Sequence, residues 1–140
     1  MLDTMRSVDH LRRYAEVDVF AVPQNRSLAT LAWNHARSIA VQRVYTRFVY
    51  GSRDYADRLQ ELLSRQRFDL VHVDSLDLAG YLDRLGGLPI VCTHHNVESS
   101  LLARRADVER PWYRSAYMRM QARLMRREED QYCPDVAMNV

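Results

Sequence analysis

The sequence predicts an α/β fold in which a parallel sheet is covered by helices on both faces. Three short segments, 68–75, 88–93 and 135–140, read as strands and alternate with segments of helical pattern. These strands are apolar almost throughout, which is typical of strands buried on both faces. Strands separated by helices in this way favour a parallel sheet with helices packed against it. With 140 residues, of which 47% are hydrophobic, the chain is long enough for one compact domain.

The first half of the sequence is predicted to add a strand and two helices. Residues 17–22, VDVFAV, form a β-rich run that Pro23 closes, and the residues before them are typical of the end of a helix. Residues 28–49 have a helical pattern, and a second helix covers 54–65. In the second helix the apolar residues share one face, and two acidic residues precede arginines by four positions. The segment 54–65 is therefore predicted to be an amphipathic helix.

The second half alternates strands with helices. A helix over 76–85 connects the first two strands of the sheet and ends at a pair of glycines. Two further helices precede the last strand. The first covers 97–107 and has Asn96 as its predicted N-cap. The second begins near Pro111, which suits a first helical turn, and reaches about residue 132.

Composition and charge narrow the function classes. A net charge of +2 is too small to indicate nucleic-acid binding, so we expect no nucleic-acid partner. Cys92 and Cys133 lie far apart and form no CxxC spacing, which predicts neither a zinc site nor a disulfide framework. The sequence has no signal-peptide pattern and no apolar run approaching the roughly 18 residues of a spanning helix. We therefore expect a cytoplasmic location.

A group of polar residues follows the strand 88–93 in the stretch THHNVES. In open α/β sheets the ligand crevice lies beyond the carboxyl ends of the strands, where helix N-termini attract anions. His94 and His95 are expected in the turn at this edge. The alternative stays open that Asn96 serves only as a helix cap and that Glu98 only complements the helix dipole. The spacing of these residues matches no established metal motif, so no metal is predicted.

Three stretches of the sequence together resemble a known family. FDLVHVDSLDLAGYL, LPIVCTHHNVESSLLARRA with an arginine-rich helix after it, and PDVAMNV occur in that order. They resemble the second half of the N-terminal domain of family-four glycosyltransferases with the GT-B fold, which have an HNVE-like run after a strand. The resemblance is good over 67–140 and loose over 1–66. It implies a Rossmann-like parallel sheet flanked by helices, as an incomplete N-terminal domain of a GT-B architecture.

The resemblance also implies an activity. Family members transfer a sugar from a nucleotide-diphosphate sugar to a hydroxyl acceptor, usually with retained anomeric configuration and without a bound metal or cofactor. The partners implied are the nucleotide sugar and a sugar or lipid-linked acceptor. The alternative is a non-catalytic α/β binding or interaction domain.

The same resemblance implies roles for individual residues. His95 matches the family's cleft histidine, which faces the transferred sugar or the acceptor, so it is the predicted catalytic residue. Asp74 and Ser75 follow the strand 68–75, where the family places acceptor-side contacts. His72 lies inside that strand and is expected to be a core histidine. The predicted substrate-binding residues are Asp74, Ser75, His94, Asn96 and Glu98.

Parts of the family's organisation are expected to lie outside this sequence. The family's first strand and glycine-rich loop are expected before residue 1, and the donor-binding C-terminal domain after residue 140. Residues 1–140 then correspond to a partial, acceptor-side domain. Because catalysis requires donor and acceptor to be positioned together, we expect this chain by itself to be inactive.

Arginines are concentrated in the last two predicted helices. Eight fall within 104–127, interleaved with Trp112, Tyr113 and Tyr117. This pattern is typical of a solvated helix face, and also of a surface that contacts a membrane or a phosphate-rich partner. In the second case the contact is a peripheral one, at the inner face of the membrane. Its predicted residues are Arg114, Arg119, Arg123 and Arg126.

Overall fold

The structure is a computed structural model of the chain, and it describes residues 2–22 and 27–140. The α-helices in these ranges are α1 (Leu2–Leu11), α2 (Leu28–Val41), α3 (Thr46–Val49), α4 (Arg53–Arg65), α5 (Glu98–Val108) and α6 (Trp112–Tyr132). The strands are β1 (Val71–Val73), β2 (Ile90–Cys92) and β3 (Met138–Asn139). A 3₁₀ helix, Leu76–Arg84, connects β1 to β2.

The strands form one parallel sheet in the order β1-β2-β3, as the sequence predicts. Val71 of β1 lies beside Ile90 of β2, with both strands running in the same direction. On the other side of β2, Val91 lies beside Met138 of β3. Since all the pairings in the described sheet are parallel, the carboxyl ends of the three strands meet at one edge.

The strands are shorter than predicted. Gly86 and Gly87 have positive φ angles of 63° and 82°, so the chain turns immediately before β2. Pro89 then follows, and it has no N–H to donate to a neighbouring strand. Its carbonyl accepts a hydrogen bond from Val71 at 2.9 Å, and regular pairing begins only at this point. Phe68 and its neighbours before β1 are therefore exposed and outside the ladder.

The core lies between the sheet, the 3₁₀ helix and the second half of α6. Val73 and Cys92 contribute from the strands, and the 3₁₀ helix contributes a buried face. α5 packs along α6 as an antiparallel neighbour after a short turn. The buried residues of α6 that join this core are Leu124, Met125 and Tyr132. Within 2–22 and 27–140, none of the helices combines the length and the apolar composition that crossing a bilayer requires.

The prediction of a strand over residues 17–22 is wrong. These residues have no regular secondary structure and lie against α4. Phe20 packs edge-on against Tyr55 with ring centroids 5.3 Å apart, and Asp18 accepts a hydrogen bond from Arg58 at 2.7 Å. The segment pairs with none of the described strands, and its side chains have partners on a helix instead. Pro23, predicted to close the strand, lies outside the described residues.

The single helix predicted over 28–49 is divided into α2 and α3. Gln42 takes a left-handed conformation with φ 53°, and its backbone N–H donates to the carbonyl of Ser38. The Ser38 hydroxyl in turn donates to the carbonyl of Arg43 at 2.7 Å, so the turn is hydrogen-bonded. Left-handed helix ends usually carry glycine. Because a glutamine takes this position, the sequence pattern does not reveal the end of α2.

Two other predicted helices are present, one with a different geometry. α4 confirms the amphipathic helix over 54–65, and the Ser52 hydroxyl caps it by accepting from the N–H of Tyr55 at 3.3 Å. The predicted helix over 76–85 is a 3₁₀ helix, which has a tighter turn. Both begin at a serine cap, as helices commonly do.

Candidate functional site

The carboxyl edge of the sheet gathers polar residues from all three described strands. Asp74 follows β1, the turn from Thr93 to Asn96 follows β2, and Asn139 ends β3. Parallel pairing holds these positions together: the N–H of Thr93 donates to the carbonyl of Val73 at 2.8 Å. The opening between strand ends and the next helix is the usual ligand position in open α/β sheets.

His95 lies next to Asp74 at this edge. Its Nε2 is 3.5 Å from Oδ1 of Asp74. Both side chains face solvent, with 61% of the histidine and 75% of the aspartate side chain exposed. A carboxylate beside one imidazole nitrogen favours a proton on that nitrogen and leaves the other free to accept a hydrogen bond. The pair is accessible to a polar ligand above the edge of the sheet.

His94 is bound to β3 instead. Its backbone N–H donates to the carbonyl of Val140 at 2.7 Å, and its Nε2 lies 2.8 Å from Oδ1 of Asn139. The same Nε2 lies 3.9 Å from Sγ of Cys133. These contacts hold the turn after β2 against the end of β3. The structure thus separates the two adjacent histidines, since His95 lies toward β1 and His94 toward β3.

Asn96 is not the N-cap of α5, in contrast to the prediction. The cap position is Val97, whose side chain makes no capping hydrogen bond, and Asn96 is exposed. A glutamate from α6 caps the helix instead: Glu129 accepts hydrogen bonds from the backbone N–H of Ser99, at 3.0 Å, and from its hydroxyl. With Glu98 also in the first turn, two carboxylates already lie at the positive end of α5.

The remaining predicted residues near β1 have structural partners. The Ser75 hydroxyl accepts from the N–H of Asp77 at 3.1 Å and caps the 3₁₀ helix. His72 is exposed, so the prediction of a core histidine is wrong. Its Nε2 lies 2.8 Å from Oγ1 of Thr93, across the β1–β2 pair. Alternate residues of a strand point to opposite faces, and the helices leave this face of β1 partly open.

A groove of about 710 Å³ lies beside the turn after β2. His94 and Asn96 line it together with residues from the end of α6, among them Arg126, Glu129 and Cys133. His95 and Asp74 are not part of this lining. Sequence reasoning missed the contribution of α6, because nothing local connects residues 126–133 with the turn after β2.

The thiols of the site are not activated. Burial raises the pKa of Cys133, and the nearby carboxylates of Glu129 and Asp130 raise it further. Burial also raises the pKa of Cys92, which is almost fully enclosed at the end of β2. Protonated thiols are weak nucleophiles, so neither cysteine is poised for covalent chemistry near neutral pH. In the described ranges no three His, Cys, Asp or Glu side chains gather in a manner that could hold a metal ion.

Comparison with known proteins gives one match. The family model described as Glycosyltransferase Family 4 matches residues 6–132, which is most of the chain. Comparisons with the curated proteins and with the solved structures find no match. The match includes β1, β2, the polar turns that follow them and the whole of α6. With its parallel sheet flanked by helices, the chain belongs to glycosyltransferase family 4.

Proposed function

We propose that this chain is the acceptor-side part of an enzyme that transfers a sugar from a nucleotide-diphosphate sugar to a hydroxyl acceptor with retained configuration. In this proposal it forms part of the N-terminal domain of a GT-B architecture and works in the cytoplasm. The observation that carries the proposal is the exposed pair of His95 and Asp74 at the carboxyl edge of the sheet, 3.5 Å apart. Membership of the family supports the assignment to sugar transfer.

His95 is the proposed catalytic residue, because it is exposed at the edge and lies beside the carboxylate of Asp74. Its free ring nitrogen hydrogen-bonds a hydroxyl of the transferred sugar or of the acceptor. A contact of this kind accelerates the reaction when it is stronger in the transition state than in the bound substrate. Asp74 positions the imidazole and also offers an oxygen to an acceptor hydroxyl.

The other predicted binding residues have more limited proposed roles. Asn96 is exposed beside the groove and is free to contact the acceptor. His94 and Ser75 mainly hold the turns in place, since each is bound to other parts of the fold. Glu98 complements the dipole of α5.

Turnover is proposed to require a second, donor-binding domain. The His95–Asp74 pair is largely exposed to water in this chain, whereas transfer requires donor and acceptor to be held together away from water. We therefore expect the 140-residue chain to release no nucleoside diphosphate from nucleotide sugars above background.

The test is an activity assay on the full polypeptide that carries this domain. It is incubated with a panel of nucleotide-diphosphate sugars and hydroxyl acceptors, and release of nucleoside diphosphate and formation of product are measured. The anomeric configuration of the product, determined by NMR, should match that of the donor. An inverted product would exclude retention, and acceptor binding without any turnover would favour the non-catalytic binding domain.

A second proposal concerns a peripheral membrane contact at the turn between α5 and α6. Val108 and Trp112 are 80% and 81% exposed there, and Tyr113 is 56% exposed. Aromatic residues of this kind favour the boundary between lipid and water, and arginines beside them favour anionic headgroups. This exposed apolar group supports the contact more strongly than the arginines alone.

The four arginines predicted for this contact are not equally free. Arg119 pairs with Asp107 at 2.9 Å, and Arg126 pairs with Asp130 at 3.1 Å. Arg114 lies 3.5 Å from Glu109. Arg123 has no ion pair within the described part of the chain.

Flotation with vesicles of phosphatidylcholine and phosphatidylglycerol tests the proposal of a membrane contact. Trp112→Ala should reduce binding to the vesicles, and Trp33→Ala, at an exposed position of α2, should not.

A further inference from the structure

A second cavity lies among the helices that precede and follow β1. Its volume is about 420 Å³, within the usual range of roughly 300–1,000 Å³ for small-molecule sites. α2, α3, the start of α4 and one face of the 3₁₀ helix form its walls. It shares no lining residue with the groove beside His94. Four arginines line it: Arg37, Arg47, Arg53 and Arg84.

Three of these guanidinium groups have no carboxylate partner. Arg37, Arg53 and Arg84 form no ion pair and no side-chain hydrogen bond with any residue that the structure describes. The exception among the four is Arg47, which is paired with the buried Glu128 at 3.1 Å. Unpaired guanidinium groups around one cavity supply bidentate donors, which match the oxygens of a phosphate.

Hydrogen bonds and side-chain packing hold the walls of the cavity in place. The Tyr81 hydroxyl donates to the carbonyl of Tyr50 at 2.6 Å and accepts from the N–H of Ser52 at 2.7 Å, so it fixes the start of α4 against the 3₁₀ helix. The guanidinium of Arg37 lies 4.8 Å from the centre of the Phe48 ring, which limits its freedom. A site whose walls are held in this way loses less entropy when a ligand binds.

The electrostatic balance of the lining favours an anion. Two carboxylates, Asp57 and Asp77, also line the cavity, so three unpaired guanidinium groups face two carboxylates. The two carboxylates suit hydroxyl groups on a larger ligand, because they accept hydrogen bonds.

We propose that this cavity, which the sugar-transfer site does not include, binds a phosphate group through Arg37, Arg53 and Arg84. The phosphate belongs either to a free phosphorylated metabolite or to the headgroup of a lipid. A phosphorylated metabolite and phosphatidic acid both present a phosphate monoester to the arginines. The proposal does not depend on sugar transfer, and its test uses no nucleotide sugar.

The test compares two double variants of the full chain that lose the same charge. Arg53→Ala with Arg84→Ala removes two donors from the cavity. Arg13→Ala with Arg67→Ala is the matched control, because both residues are exposed and neither lines the cavity. Thermal unfolding and circular dichroism of each variant confirm that the fold is retained.

Inorganic phosphate is the first probe, titrated at constant ionic strength and followed by NMR of the arginine side chains. Saturable binding should weaken about tenfold or more in the cavity variant, as expected for loss of charged hydrogen bonds, and change less than twofold in the control. This result would identify a free phosphate compound as a sufficient ligand. Phosphatidylcholine vesicles with and without phosphatidic acid are the second probe, in a flotation assay.

Flotation that requires phosphatidic acid and is lost only in the cavity variant would identify a lipid headgroup as the source. Two results would overturn the proposal: no response to either probe in the unmodified chain, or an equal loss in both double variants. An Arg53→Lys variant with Arg84→Lys provides a further check. It keeps the charge but removes the bidentate geometry, so phosphate binding should be only partly restored.

Discussion

Arg47 of α3 donates a hydrogen bond from Nη1 to Oε2 of Glu128 in α6 at 3.1 Å, and the glutamate side chain is only 2% exposed. Arg43 lies 3.2 Å from the other carboxylate oxygen. A buried carboxylate held by two guanidinium groups connects the helices of the first half of the chain to α6. Removing one partner of such a group leaves an uncompensated charge in a partly dry environment.

Glu128→Ala should therefore destabilise the domain by roughly 3 kcal/mol, measured by urea unfolding. The control is Asp130→Ala on the same helix, whose pair with Arg126 is exposed on both sides. Its loss should cost less than about 1 kcal/mol. If both variants lost the same free energy of unfolding, the buried ion pair would contribute no more to stability than the exposed one.

The cap of α5 gives a second prediction. The substitution that destabilises the chain should be at Glu129, not at Asn96, where the sequence alone predicts the cap. Glu129→Ala removes the acceptor of both Ser99 hydrogen bonds and should cost about 1–2 kcal/mol, like the loss of a helix cap. Asn96→Ala should cost almost nothing, because the structure gives Asn96 no capping role. A larger loss for Asn96→Ala in urea unfolding would restore the cap that the sequence alone predicts.

The two adjacent histidines differ in their expected catalytic effects. In the full polypeptide, His95→Ala should lower kcat by roughly 10- to 1000-fold, because it removes a polar contact proposed to strengthen in the transition state. His94→Ala should change kcat several-fold at most. Its main effect should be on stability, since it loses the contact with Asn139. Equal, small effects on kcat at both positions, measured with saturating donor, would leave His95 without a catalytic role.

A pH dependence of stability is expected from His35. Its ring stacks on Tyr45 with centroids 3.9 Å apart, and its Nδ1 lies 2.6 Å from the Tyr117 hydroxyl. Burial lowers the pKa of His35 below its usual value of 6.5, so the folded chain resists protonation. Burial also raises the pKa of Tyr117 to about 12, which keeps its hydroxyl protonated.

The stability that His35 contributes is thus complete above pH 6.5 and is lost as the pH falls below that value, because the unfolded state then binds the proton more readily. The difference in unfolding free energy between the unmodified chain and His35→Gln should decrease from pH 7.5 to pH 5.5. The chain has four other histidines, and comparison with this variant removes any contribution that they make to the pH dependence. A constant difference across the range would contradict the prediction.

The sheet was largely predictable because its signals are local. The apolar strands, Gly86 and Gly87, and the amphipathic pattern of α4 each mark an element within a few residues of sequence. The carboxyl-edge position of His95 and Asp74 follows from the same pattern, since parallel strands align their ends. The separation of His94 toward β3 could not be predicted, because it depends on Asn139, far away in the chain.

The errors arose where distant contacts decide the structure. Residues 17–22 have the composition of a strand, but packing against α4 takes precedence over their β-propensity. The cap of α5 comes from Glu129, thirty positions after Ser99. Glu128 gave a signal that could have been used, because it lies four positions after Leu124, on the buried face of α6.

The capping of α5 by a residue of α6 also changes where substitutions should be tolerated. A helix capped by its own preceding residue requires a specific side chain there, whereas Val97 makes no capping hydrogen bond. Residues 96 and 97 therefore need no capping side chain, and the acceptor that caps α5 has to be at Glu129 instead. Substitutions of the Asn96 and Val97 side chains should therefore leave the start of α5 intact, whereas substitutions of Glu129, on a helix that carries none of the proposed catalytic groups, should weaken it.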